Sequence, residues 1–278
     1  MQYRFRSQIT RISAVLLCGA LNLVGVFHAH AQPLRVGGTG SALGTIRVLA
    51  DAYAKQSPSQ IGLTIVPNLG SSGALRALQA GAIDAAIISR PLKPEETAAG
   101  MVGFEYGRSP FVFVTSKSGV KNITASTAAD FLSGRVASWP DGEPVRFVMR
   151  PENDGDNLYL ESLSPDIASA LKIAHRRPGM VIASTDQEAA DETERLRGSL
   201  AVNTLALVLS ERRKLNIIAF NGAVPSAKAL AAGSYPYFKP LVIVTRGTPA
   251  AATLQFIEFF KSPKGRAILE ANGHFIAN

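Results

Sequence analysis

Gly37-Gly38-Thr39-Gly40-Ser41 is the stretch on which the reading of this chain turns. It follows an apolar run, Leu34 to Val36, that reads as a strand. It precedes residues 41–56, where Ile46, Leu49, Ala50 and Tyr53 recur at helical spacing. A strand that turns through glycines straight into a helix is the opening unit of an α/β sheet. Gly70-Ser71-Ser72-Gly73 repeats the arrangement before a second helix, expected over residues 74–80 and ended by Gly81. A helix N-terminus offers amides without intrahelical partners, its dipole favours negative charge, and glycine lets a ligand approach the backbone. Two such openings with small hydroxyl residues point to an oxyanion site.

Outward from these two turns, strands and helices continue to alternate. Ser57-Pro58 stops the first helix, residues 61–66 form the next strand, and residues 83–88 are a β-branched and alanine run suited to a buried parallel strand. Strands are expected at 111–115, 145–149, 199–203, 217–220 and 241–244. Helices are expected at 125–132, 158–162, 165–176, from near Asp186 as N-cap, and at 250–261 and 263–270. Residues 137–144, with Trp139-Pro140-Asp141-Gly142, read as a loop. Short connections between alternating elements imply a mostly parallel sheet flanked by helices.

Residues 1–31 are set apart as an export leader. Arg4, Arg6 and Arg11 make a positive start, residues 12–27 are mostly apolar, and Ala29-His30-Ala31 supplies a cleavage signal, with the cut expected after Ala31. The apolar run is short for a membrane anchor, and no second one follows. Cys18 follows Leu17 rather than the small residue a lipid-attachment site needs, so a soluble periplasmic product is expected. That product has no cysteine, which excludes disulfides and thiol chemistry. Of the chain's 29 lysines and arginines three lie in the leader, which leaves 26 against 21 acidic residues. So mild a positive excess can assist small anions and, with export, argues against nucleic acid as a partner.

Other chemistries find little support. Gly38-x-Gly40-x-x-x-Gly44 approaches a dinucleotide fingerprint, but Val66-Pro67-Asn68 lacks the carboxylate that holds a ribose. A tight turn without a ligand is the other plain reading, and no Gly-Lys-Ser/Thr follows to make a P-loop. No Gly-x-Ser-x-Gly elbow activates Ser41, Ser71 or Ser72. Only His175 and His274 survive removal of the leader, which leaves no metal site, no cofactor and no catalytic pair to assemble.

Arg150-Pro151-Glu152-Asn153-Asp154-Gly155-Asp156 is the second informative segment. It reads either as a helix-entry turn capped by its aspartates or as a site. In a site Arg150 grips an oxyanion bidentately, while the aspartates accept a ligand proton or hold Arg150 and Arg90 in place. Ser89-Arg90-Pro91 ends a buried strand, where ligands gather in open α/β sheets.

These residues resemble the phosphate-binding proteins of phosphate ABC transporters, with the type II periplasmic binding-protein fold. The likeness is carried by Gly38-Thr39-Gly40-Ser41 and Gly70-Ser71-Ser72-Gly73 opening two helices. It is also carried by Ala80-Gly81-x-Ile83-Asp84 running into Ile88-Ser89-Arg90-Pro91-Leu92, and by Tyr235-Pro236 before the returning strand. The resemblance implies two α/β lobes, residues 32–113 with 236–278 and residues 114–235, with the ligand between them. It implies contacts from Thr39, Gly40, Ser41 and Ala42, from Ser71 or Ser72, and from Ser89, Arg90 and Arg150, with Asp154, Gly155 and Asp156 alongside. Two departures stand out. Ser89 takes the place of an aspartate that accepts the ligand's proton, and Asp154-Gly155-Asp156 replaces a Ser-Gly-Thr. The implied protein is a monomer that captures phosphate or a related oxyanion without chemistry and delivers it to a membrane permease. The alternative is a sensor of the same fold that signals ligand state to a membrane partner.

Overall fold

The computed structural model describes residues 33–276 apart from residues 57–61 and 68. The leader, its cleavage site and the Ser57-Pro58 helix stop lie outside the described residues. The chain opens β1 (Leu34–Gly38), α1 (Gly40–Ala54), β2 (Leu63–Val66), α2 (Gly70–Gln79), β3 (Ala85–Ile88) and α3 (Pro94–Ala98). It continues through β4 (Met101–Thr115), β5 (Asn122–Ile123), α4 (Ala125–Ser133), β6 (Arg146–Met149), α5 (Gly155–Ser162) and α6 (Pro165–Ala174). Then come β7 (Val181–Ile182), α7 (Asp186–Arg195), β8 (Ser199–Thr204), α8 (Leu205–Ser210), β9 (Asn216–Phe220) and α9 (Ala227–Ala231). β10 (Phe238–Arg246), α10 (Ala251–Lys261) and α11 (Pro263–Ala271) complete it.

The strands form one hydrogen-bonded path, β2-β1-β3-β10-β4-β8-β6-β7, with β9 also on β4 and β5 on β9. The parallel pairs predicted from βα alternation lie at the flanks: β1 with β2 and β3, β6 with β7 and β8, β5 with β9. The centre is antiparallel, because β10 returns from the far end of the chain to insert between β3 and β4. Residues Met101 to Pro110 of β4 pair with β10, whereas Phe111 to Thr115 pair with β8 on one edge and β9 on the other. One strand therefore belongs to two halves of the sheet.

Burial follows the same division. Leu34, Val36, Ile46, Leu49, Ile87, Tyr106, Leu241 and Phe256 share one core with α1 and α10. Phe111, Phe113, Phe131, Trp139, Phe147, Ile218 and Tyr235 share another under α4 and α6. In the second core Trp139 Nε1 donates to Gly198 O at 2.9 Å and Tyr235 Oη to Phe111 O at 2.6 Å, whereas in the first the Tyr106 hydroxyl has no partner among the described residues. Gly38 has a structural duty, since a Cβ there would lie 2.2 Å from Ile87 O across the β1–β3 pair.

His274 is fully buried behind β4. Its Nε2 lies 3.1 Å from Thr45 Oγ1, and Nδ1 has no partner among the described residues. Burial pulls its pKa down to about 3. The unfolded chain binds a proton near pH 6.5 that the folded chain refuses, so stability is complete above that pH and falls as the pH drops through the window. Chemical denaturation should show about 1.6 kcal/mol lost between pH 6.5 and pH 5, the slope steepening toward roughly 1.4 kcal/mol per pH unit at the acid end. His274→Gln should flatten that slope, and an unchanged slope would contradict the assignment.

Candidate functional site

Four helices begin around one cavity of about 660 Å³. Thr39 and Gly40 reach it from α1, Gly70 to Gly73 from α2, Asp154 to Asp156 from α5, and Thr185 to Gln187 from α7. Each helix start carries partial positive charge from amides without intrahelical acceptors. Arg76, Arg90, Lys93, Arg150 and Lys239 add five cations to the lining, against the carboxylates of Asp154, Asp156 and Asp186. The balance favours an anion.

Ten of the twelve residues singled out from the sequence line this cavity. They are Thr39, Gly40, Ser71, Ser72, Ser89, Arg90, Arg150, Asp154, Gly155 and Asp156. Ser41 and Ala42 are buried and do not line it. α2 presents the more open cradle. Its N-cap residue is Leu69, no side chain caps it among the described residues, and Gly70 sits at φ +61°, where glycine avoids strain. Ser71 Oγ accepts from Ser89 N at 3.1 Å, which fixes the end of β3 against this helix. Among the described residues Arg76 has no hydrogen-bond or ion-pair partner, while Arg90 closes on Glu96 through two bonds of 2.8 and 2.6 Å. Arg90 is thus held by a glutamate and not by the aspartates considered from the sequence.

On the opposite wall residues 150–156 form the capped helix-entry turn, and one of its aspartates also holds Arg150. Asp154 caps α5 by accepting from Asp156 N at 2.9 Å, and it also grips Arg150, with Nε at 3.2 Å and Nη2 at 2.9 Å. Arg150 Nη1 donates to Ala183 O at 3.0 Å, so the guanidinium is buried with its fork closed on the chain's own carboxylate. Asp156 pairs with Lys239 of β10, both side chains being 4% exposed. Removing either partner would strand a buried charge. Lys239 escaped the sequence reading because its only signal is a lone lysine entering an apolar strand.

Asp186 is the residue that sequence reasoning most underrated. It was read as the N-cap of α7, but Thr185 is that cap, accepting from Glu188 N at 3.0 Å. The Asp186 carboxylate reaches instead to α1, where Oδ2 accepts from Ser41 N at 3.1 Å and Oδ1 from Ser41 Oγ at 3.2 Å. Burial pushes this carboxyl above its usual range against the pull of Arg150; Asp154 adds to the rise and the Ser41 bonds oppose it. Gly40 permits the approach, because a Cβ there would meet Gln187 Oε1 at 2.3 Å and Asp186 Oδ2 at 2.6 Å. Gln187 Nε2 donates to Gly40 O at 3.0 Å, and Thr204 Oγ1 to Ser41 O at 3.1 Å. Among the described residues no group of three or more His, Cys, Asp or Glu is arranged to hold a metal ion.

Comparison with known proteins places this geometry in context. A putative phosphate ABC transporter substrate-binding protein with bound phosphate from Clostridium perfringens superposes with a TM-score of 0.75 at 18% identity. The match covers 89% of this chain and 100% of that one. An ABC-type phosphate transport receptor from Vibrio cholerae gives 0.63 at 19%, covering 88% and 100%. The periplasmic molybdate-binding protein of Azotobacter vinelandii gives 0.63 at 20%, with the same coverage. At such identities the likeness establishes the fold. No curated protein matches the sequence. The PBP superfamily domain matches residues 27–264, well over half of the sequence, and the chain therefore belongs to the PBP superfamily.

Proposed function

We infer that this protein is an extracytoplasmic solute-binding protein that captures phosphate or a related oxyanion for a membrane ABC permease. The observation that carries the reading is the convergence of four helix N-termini and five cationic side chains on one cavity. The superfamily and its phosphate- and molybdate-binding structural neighbours support it. Backbone amides and hydroxyls of α2, with Arg76 beside them, hold the anion by charge-assisted hydrogen bonds, and no covalent step is involved. The leader expected over residues 1–31 directs the chain to the periplasm, where it works as a monomer.

Residues 32–113 with 236–278 form one lobe in this reading, and residues 114–235 the other. β4 exchanges β10 for β8 at Phe111, three residues before that boundary, which supports a division within this strand. α1 and α2 then face α5 and α7 across the cavity. Closing the lobes brings the α2 amides and the Arg150 wall onto opposite sides of the ligand.

Calorimetric titration of ligand-stripped protein with phosphate, sulfate, phosphonate and molybdate should detect binding of at least one. Silence with all four would end the oxyanion reading. Arg150→Ala should weaken phosphate binding by about 2 kcal/mol, roughly thirtyfold, since it removes a desolvated cation and leaves Asp154 unneutralised. Full affinity in that variant would take Arg150 out of the site. Ser72→Asp places a carboxylate at an exposed position of the α2 N-terminus, where the helix itself tolerates it. It should weaken anion binding at least tenfold with an unchanged melting temperature, and equal affinity would move the ligand away from α2.

A further inference from the structure

The positive ends of α1 and α7 face each other at close range, and the group between them is a side chain of the protein itself. Asp186 lies in the first turn of α7 and bonds the first turn of α1 through both oxygens. Ser41 and Asp186 are 1% and 6% exposed, so this is an interior contact and not a surface ion pair. The α1 start has no cap of its own: Thr39 makes no side-chain cap bond, and its Oγ1 donates to Ser41 Oγ at 3.2 Å. A carboxylate whose two oxygens accept from one helix amide and one hydroxyl reproduces the contacts of one edge of a tetrahedral oxyanion at a helix start. Arg150, whose charge acts on it, is itself closed on Asp154.

We propose that Asp186 is a resident anion: its carboxylate occupies the place between α1 and α7 that a free oxyanion would take, and so sets how tightly the protein binds an inorganic one. The proposal rests on the oxyanion reading of the cavity. An incoming anion either displaces Asp186, which requires the first turns of α1 and α7 to part, or binds on the α2 side against its repulsion. Both routes make the carboxylate a competitor. The contact that resemblance assigns to Ser41 is accordingly shut off from the cavity, while those of α2 stay open.

The test is titration of wild-type protein, Asp186→Ala and Asp186→Asn with inorganic phosphate, by calorimetry and by the shift in melting temperature. Asp186→Ala should bind phosphate at least tenfold tighter than wild type. It should also melt lower without phosphate and regain more stability on adding it than wild type does. Asp186→Asn keeps the shape and discards the charge, and should tighten binding at least threefold; it decides the matter if the alanine variant does not fold. Equal or weaker binding in the variants, with wild type still binding, would overturn the competitor role and leave the oxyanion reading standing. Failure of wild type and variants alike to bind phosphate or any other oxyanion would overturn both.

Discussion

Helix dipoles that point their positive ends into one space need negative charge there, and this constraint organises the centre of the protein. α1, α2, α5 and α7 all begin at the same cavity. Asp154 answers the need at α5 and at the Arg150 guanidinium, Asp156 at Lys239, and Asp186 at α1 and α7 together. Among the described residues, α2 alone of these four has no side-chain acceptor at its first amides. The asymmetry gives the cavity a direction. One wall is neutralised from within, and the other keeps, among the described residues, uncapped amides and an unpaired arginine.

That arrangement depends on a sheet that joins two cores without merging them. β4 carries Tyr106 into the core under α1 and α10 and, five residues on, Phe111 into the core under α4 and α6. At the changeover Phe111 N donates to Tyr237 O at 3.0 Å, and Phe111 O receives the Tyr235 hydroxyl. The Tyr235-Pro236 signal in the sequence thus marks the point where the returning chain fastens β4 as it changes partners. Helices from either side can then aim at one space while each remains packed on its own hydrophobic base.

Much of this was legible in the residues. The glycine turns at Gly37-Gly38 and Gly70 announce strand-to-helix units because few other residues tolerate such close approach or positive φ. Arg150 and its aspartates declared themselves by charge density in a short loop. The first ten residues of β4 did not: Gly103, Gly107 and Pro110 interrupt them, and their burial does not alternate. Pairing with β10, more than a hundred residues away, makes them a strand. α8 was hidden for another reason, since Leu205-Ala206-Leu207-Val208-Leu209 is too short and too uniformly apolar to show a period. The Asp186 contact joins positions 145 residues apart, and no local pattern encodes it. Burial of Ser41 behind it was illegible for the same cause, while Ala42 packs into the core under α1.

The Ser41–Asp186 bond also bears on how the molecule endures between encounters. A cradle made only for a visiting anion is left, when vacant, with helix ends that repel one another and amides that lack acceptors. Such a protein is least secure in the state it occupies while its nutrient is scarce. Here the chain brings a permanent counterion to α1 and α7, so that part of the fold is complete with nothing bound. In the oxyanion reading, endurance without a ligand and strength of grip draw on the same few atoms, those of Ser41 and Asp186.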